Sequence, residues 1–366
     1  MAGGLMKYKV ICTGCKHIEP DNASRCSRCN SILEVQFDYS SLKLKEGFRR
    51  QRINQYKYID FLPIDRFEIN EGNCGTPLKA KKYRSKKIML KIETKNPTHS
   101  FKDRGSAVEL SKAIELGFRD VCCASTGNMG ISIARYSKLA GINATIFISK
   151  DANKEKIEII KSHGAKIIKV DGDFNKAIDA AEKFSLDNGA MLCGDYHYRK
   201  EGQKSLIFEV LEQLKYKMPD FIFMPVGSAT LLSATYKGLI EFRLLSMTKR
   251  YPKLVASQSE MCNPLIKAFE SGSRIKYVKP MTSADAIAVG YPIFGSQGLD
   301  ALKKTHGIGV SVSEDEIREA VMMLKRMGID SESGGAAGFA GFVKLYEKSK
   351  EIFDRKRVVV IITGNN

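Results

Sequence analysis

From about residue 87 onward, short apolar runs alternate with amphipathic stretches, and that alternation admits few architectures. The runs lie at 88–92, 121–124, 144–148, 166–170, 221–225 and 358–362. Between them, 103–116, 129–140, 154–163, 174–187 and 231–242 carry apolar residues at helical spacing. Strands that read as continuous apolar runs are buried on both faces. The pattern therefore predicts parallel strands joined by crossover helices, a doubly wound α/β class. Gly117, Gly141, Gly164 and Gly189 close four of the helical stretches, where a left-handed cap is expected. A chain of 366 residues that is 43% hydrophobic can bury more than one such unit. Residues 51–73 fit neither pattern and read as an arm or an oligomer contact.

The N-terminal region is turn-rich and carries Cys12-x-x-Cys15, then Cys26-x-x-Cys29, then the alternating Leu33-Glu34-Val35-Gln36-Phe37. Four thiols at these spacings match tetrahedral zinc better than disulfides, with Gly14 allowing a tight knuckle. All four ligands are local, which leaves no open position for water, so the expected Zn2+ is structural. Residues 6–37 read as a zinc-ribbon-like module.

Lys and Arg number 59 against 41 Asp and Glu, a formal charge of +18. The basic residues are spread along the chain, densest at 48–52 and 79–91, and suit attraction of anionic substrates. Charge alone permits nucleic-acid binding, but no nucleic-acid partner is expected. No run of about eighteen apolar residues and no signal-like apolar start are present, so no membrane partner is expected. The expected location is the cytoplasm.

Four segments carry candidate chemistry. Asn96-Pro97-Thr98-His99-Ser100-Phe101-Lys102-Asp103-Arg104-Gly105 sets a lysine at a strand-to-helix transition, with Ser100 as a candidate N-cap. A lysine desolvated beside Phe101 can lose its proton and attack a carbonyl, although most lysines in a helix's first turn are merely solvated. Ser125-Thr126-Gly127-Asn128-Met129-Gly130 and Gly227-Ser228-Ala229-Thr230-Leu231 each join a strand to a helix. Amides at a helix start suit a carboxylate or phosphate, and small side chains let an anion approach the backbone. The last strand ends in Thr363-Gly364, at the edge where α/β sheets bind ligands.

In this order the segments resemble the fold type II pyridoxal-phosphate enzymes, and among them the threonine synthases, over nearly the whole chain. The resemblance implies two doubly wound three-layer domains plus the zinc-ribbon-like module: a large domain over 38–111 and 198–366, and a small one over 112–197. It implies pyridoxal 5′-phosphate as cofactor, with Lys102 as the cofactor lysine and catalytic acid and base. Phe101, Asn128, Gly227, Ser228, Ala229, Thr230, Leu231 and Thr363 would be cofactor neighbours, the Thr363 hydroxyl facing the pyridine nitrogen. Ser125, Thr126 and Gly127 would hold the substrate carboxylate. Arg199, in Tyr198-Arg199-Lys200-Glu201-Gly202-Gln203-Lys204, would grip the substrate's phosphate, the alternative being an ion pair with an acid such as Glu201. The sequence departs from the family pattern at Met129, at Cys193-Gly194 and in the phosphate loop.

The implied function is conversion of O-phosphohomoserine and water to threonine and phosphate by a homodimer acting on a small phosphorylated amino acid. Rival readings are β-replacement on O-phosphoserine, giving cysteate or cysteine, and a serine or threonine dehydratase. A non-enzymatic rival is an idle nucleic-acid-binding relic.

Overall fold

The computed structural model describes residues 8–41, 51–69, 75–125, 127–149, 154–172 and 174–366. Three short strands begin the described chain: β1 (Tyr8–Cys12), β2 (Ile18–Glu19) and β3 (Leu33–Phe37), ordered β2-β1-β3 and antiparallel. Leu33, Val35 and Phe37 are buried and Gln36 is exposed, as the alternation predicts for a strand with one covered face.

The hairpin β4 (Leu78–Tyr83) and β5 (Lys86–Ile92) follows, then helix α1 (Lys102–Glu115). Next come β6 (Asp120–Ala124), α2 (Asn128–Ala140), β7 (Asn143–Ser149), α3 (Lys154–Ser162), β8 (Lys166–Val170), α4 (Phe174–Asn188), β9 (Met191–Cys193) and α5 (His197–Gln213). The remaining chain forms β10 (Phe221–Pro225), α6 (Thr230–Leu244), β11 (Lys253–Ser259), α7 (Pro264–Ser271), α8 (Gly295–Lys304), β12 (Ile308–Val312), α9 (Glu314–Arg326), α10 (Ser333–Lys348) and β13 (Val358–Ile362). The four glycines expected as caps adopt φ of 79°, 66°, 83° and 64° at Gly117, Gly141, Gly164 and Gly189.

By packing, the chain divides into two units. The first holds 1–74 and 102–205, the second 75–101 and 206–366. In the first, a parallel sheet runs β8-β7-β6-β9. Alternate residues of its strands face opposite ways. Val121, Cys123, Ile146, Ile148 and Met191 join the cluster with Ala107, Leu110 and Ala134 of α1 and α2, together with Val10 and Val35 of the N-terminal module. Cys122, Ala124, Phe147 and Leu192 pack on Ala177 and Ala181 of α4. Both faces are covered, which is why these strands read as unbroken apolar runs.

In the second unit a six-stranded sheet runs β12-β11-β10-β13-β5-β4. Its pairs are parallel except β4 with β5. The dense basic segment thus supplies an antiparallel edge, and Lys79, Lys81 and Lys82 on that edge discourage pairing with another chain. The central β13 is buried throughout; Val358, Val360 and Ile362 meet Phe339 and Phe342 of α10 and Ile317 and Leu324 of α9. On the described residues no helix is long and apolar enough to cross a membrane.

This division differs from the expected partition, which gave residues 38–111 to the large domain. The reason is local packing. Gln55 is fully buried and its amide donates to the carbonyls of Arg104 and Gly202 at 2.8 and 3.0 Å, while Leu62 and Ile64 pack on Val108. The described part of the arm and α1 therefore belong with the small sheet. Residues 42–50 and 70–74 lie outside the described residues.

Candidate active site

Cys12, on β1, and Cys15, Cys26 and Cys29, in the turns beside it, bring their Sγ atoms within 4.8 Å of one another. Two of the contacts, Cys12–Cys29 and Cys15–Cys26, are 3.4 and 3.5 Å. A tetrahedron of bonds near 2.3 Å requires sulfurs about 3.8 Å apart, so the set fits zinc with little adjustment. The amides of Gly14 and Cys15 donate to Cys12 Sγ, both at 3.3 Å. A Cβ on Gly14 would come 2.7 Å from Ser31 Oγ, so this knuckle needs glycine. Hydrogen bonds from Ser31 pull Cys29 down to about 6, which suits a thiolate ligand.

In the second unit, β10 and β13 end side by side, and three of the motifs gather at their carboxyl ends. The Phe101 amide donates to the Thr363 carbonyl at 2.9 Å, the Asn365 amide to the His99 carbonyl at 3.0 Å, and Ser100 bridges Gly364. A Cβ on Gly335 would lie 2.3 Å from the Gly364 carbonyl, so the first turn of α10 rests directly on this pairing. The Phe294 amide donates to the Ser228 carbonyl at 2.9 Å, and a Cβ on Gly227 would sit 3.2 Å from Val289. Ala229, at φ 61°, precedes α6 with no side-chain cap. The amides of a helix start without a side-chain cap, bordered by small residues, fit an anionic group such as a cofactor phosphate. Thr363 is buried at the end of β13, its neighbours fixed by the pairing just described.

Lys102 is the first residue of α1, directly after Phe101. Ser100, expected as the cap, lies one position further out, in the bridge to Gly364. Lys102 keeps some surface, but its amine is enclosed. Burial lowers the amine's proton affinity below the ordinary lysine value; Asp195 opposes this and Arg199 adds to it. A neutral amine is what nucleophilic attack on an aldehyde requires.

Asn128 opens α2 and is buried. Ser125 turns its hydroxyl inward, accepting from the amides of Gly127 at 3.3 Å and Gly130 at 2.9 Å, so it shapes the loop it was expected to furnish for substrate. Gly127 is the N-cap of α2, and Thr126 lies outside the described residues.

Arg199 departs from expectation. It is fully buried, and it pairs with Glu109 rather than Glu201, which instead bonds Lys204 at 2.6 Å. Its Nε donates to the Gly194 carbonyl at 3.0 Å, one Nη to the Lys102 carbonyl at 3.0 Å, and the other to Ser106 Oγ at 3.1 Å and to Glu109. Those acceptors take four of the five N–H groups of the guanidinium. Glu109 escaped sequence reasoning, although its position had a signal: residues 102, 106 and 109 share one helical face. Asp195 and Ser132 were missed as well; the Ser132 hydroxyl lies 2.6 Å from Asp103 Oδ1.

The first unit carries an enclosed lysine opening a helix, and the second carries an uncapped small-residue helix start and a threonine ending its central strand. The pyridoxal-phosphate dependent enzyme profile matches residues 69–364, and the chain belongs to that family. Threonine synthase of Methanosarcina acetivorans is 36% identical over 366 aligned residues, covering 97% of this chain and 90% of the relative. That of Methanocaldococcus jannaschii is 34% identical, covering 97% and 91%. Among solved structures, maize serine racemase matches with a TM-score of 0.69 at 22% identity, over 79% of this chain and 88% of that one. Diaminopropionate ammonia lyase of Escherichia coli matches at 0.70 and 16%, over 99% and 94%. These likenesses show the fold of fold type II enzymes.

Proposed function

We propose that this enzyme converts O-phosphohomoserine and water to threonine and phosphate. The observation that carries the reading is the match to threonine synthases over 97% of the chain, joined to an enclosed Lys102 with lowered proton affinity. Pyridoxal phosphate, when bound, supplies an electron sink for charge developing on the substrate's carbon atoms. Lys102 would hold the cofactor and afterwards move protons at the substrate's α and β carbons through Nζ. The amides opening α6 behind Gly227, Ser228 and Ala229 would bind the cofactor phosphate, with Thr230 and Leu231 fixing the helix start. Thr363 would place its hydroxyl at the pyridine nitrogen, Phe101 and Asn128 would flank the ring, and Gly127 would present its amide to the substrate carboxylate.

The four-cysteine set is proposed to hold one structural zinc. Residence in the cytoplasm as a homodimer is proposed on the resemblance, and sedimentation tests the dimer. The enclosed Arg199 favours one second reading, elimination from an unphosphorylated hydroxy amino acid, which needs no phosphate contact. Phosphate release from phosphohomoserine and phosphoserine, measured beside keto-acid formation from serine and threonine, separates them. Turnover of serine or threonine alone would overturn the first reading.

A further inference from the structure

We propose that Glu314 is a positioning residue for the loop Gly227-Ser228-Ala229, acting through the turn Asp285–Ile287 that it ties down at Thr282 and Ser283. This rests on the reading of that loop as the seat of the cofactor phosphate.

Glu314 opens α9, yet capping that helix falls to its neighbours. The Ser313 hydroxyl accepts the Glu316 amide at 3.1 Å, and the Glu316 carboxylate accepts the Ser313 amide at 2.7 Å. The Glu314 carboxylate turns instead to two other segments of the second unit. Its Oε1 accepts the Ser259 hydroxyl at 2.7 Å and the Thr282 hydroxyl at 2.6 Å, and its Oε2 accepts the Ser283 amide at 2.9 Å and the Ser283 hydroxyl. Both hydroxyls on Oε1 also accept an amide, that of Met261 onto Ser259 and that of Ala284 onto Thr282, each at 3.1 Å. Their hydrogens are thereby directed at the carboxylate. Four donors converge on two oxygens, and charge-assisted bonds of this kind are roughly twice as strong as neutral ones.

From Ser283 the tie runs along the backbone to the loop. The Asp285 amide donates to the Ser283 carbonyl at 3.0 Å, Ile287 to Ala284 at 3.0 Å, Ala288 to Asp285 at 3.1 Å and Val289 to Ile287 at 2.8 Å. Ala284 and Ile287 are buried, so packing holds the turn as well. Two glycines lie against it. A Cβ on Gly227 would lie 3.2 Å from Val289 Cγ2, 3.3 Å from Ile287 Cα and 3.4 Å from the Ala286 carbonyl oxygen, and one on Gly334 would lie 2.7 Å from Ala286 Cβ. The turn is therefore wedged between the phosphate loop and the first turn of α10, which rests on the Gly364 carbonyl beside Thr363. A loop backed closely on a fixed turn is pre-organised. Freed, it must be ordered when an anion binds, and that ordering lowers affinity.

The test loads the apoenzyme with pyridoxal phosphate and follows two readouts, the dissociation constant from the visible band and the phosphorus resonance of the bound cofactor. In Glu314→Gln one oxygen and an amino group replace two oxygens, and no orientation of the carboxamide serves four donors. The dissociation constant rises about tenfold and the phosphorus resonance shifts, while the band still forms because Lys102 is untouched. Ser283→Ala deletes one donor, moves the resonance in the same direction and adds little when combined with Glu314→Gln. Asp220→Asn is the control for stability alone, since Asp220 accepts the Arg357 amide at 2.7 Å and Arg250 at 3.0 Å at the opposite end of β10 and β13. It lowers the melting temperature and leaves both readouts at the parent values. Parental readouts in Glu314→Gln overturn the proposal. So do equal shifts in Asp220→Asn, because the effect then follows stability rather than the turn. If Glu314→Gln does not fold, Thr282→Val and Ser283→Ala decide: a shifted resonance with weakened cofactor binding supports the tie, and parental readouts refute it. A parent enzyme that forms no visible band with the cofactor refutes the reading of the site instead.

Discussion

Replacing Lys91 by Met tests how the second unit holds the segment that leads to the lysine. Lys91 lies on β5 and Glu209 on α5; they meet at 2.7 Å with both side chains fully buried. Lys91 Nζ also donates to the Thr76 carbonyl at 2.8 Å and to Gln213 Oε1 at 3.1 Å, and Glu209 Oε1 takes the Gly75 amide at 2.9 Å. Removing the ammonium strands a buried carboxylate that keeps the Gly75 amide as a donor. Breaking such a pair costs about 3–5 kcal/mol, most of it the penalty of the stranded charge. Removing the charge on both sides, as Lys91→Met/Glu209→Gln, keeps an acceptor for Gly75 and should cost no more than about 2 kcal/mol, since a hydrophobic replacement of a buried pair is often neutral. The chain has no tryptophan, so urea unfolding is best followed by far-ultraviolet circular dichroism. A single variant losing less than about 1 kcal/mol, or a double variant no more stable than the single, refutes the reasoning.

Lys102→Ala should leave the fold intact yet abolish borohydride-fixed cofactor and nearly all turnover; a linkage persisting on another lysine rejects the assignment. Changing Cys26 and Cys29 to Ser should remove about one zinc per chain and lower the melting temperature of the N-terminal module, and metal analysis showing unchanged zinc rejects the four-cysteine site. Glu314 accepts from Ser259, Thr282 and the amide and hydroxyl of Ser283; burial opposes ionisation, but these donors hold the carboxyl at about 2 against an ordinary 4.5. Its folded value is depressed, so its contribution is full above 4.5 and is lost as pH falls toward 2, and Glu314→Gln should flatten the acid limb of the stability curve.

Elements whose burial follows their own sequence were legible. β10 and β13 end where the apolar runs at 221–225 and 358–362 end, because each run is flanked by turn residues and covered on both faces; the half-buried edge strand β8 likewise matches 166–170. The edge strand β4 and strands β11 and β12 were not legible. β11 carries Ser257, Gln258 and Ser259, all fully buried, and Gln258 is satisfied by the Val226 carbonyl and the amides of Leu265 and Ile266. Helix α10 was hidden for another reason: Gly334, Gly335, Gly338 and Gly341 read as turn composition. A Cβ on Gly338 would lie 3.1 Å from Met224 Cα, and on Gly341 2.1 Å from Ser257 Oγ, so this helix sits nearly backbone-on-strand against β10 and β11. Contacts of that kind are set by a distant element, and local propensity does not register them.

The same argument reaches the candidate site. Gly105 in α1 and Gly202 in α5 each cost a helix interior roughly 1 kcal/mol relative to alanine. A Cβ on Gly202 would come 2.2 Å from the Arg104 carbonyl, and one on Gly105 would come 2.5 Å from Arg199 Cγ. The two helices thus approach to backbone contact within one turn of Lys102, and only there can Arg199 reach the Lys102 carbonyl while remaining paired with Glu109. Motif reading gave Arg199 to the substrate's phosphate, with a nearby acid such as Glu201 as the alternative; the helix approach supplies an acid ninety positions earlier, Glu109. Two glycines thus let the helices come close enough for Arg199 to reach the Lys102 carbonyl.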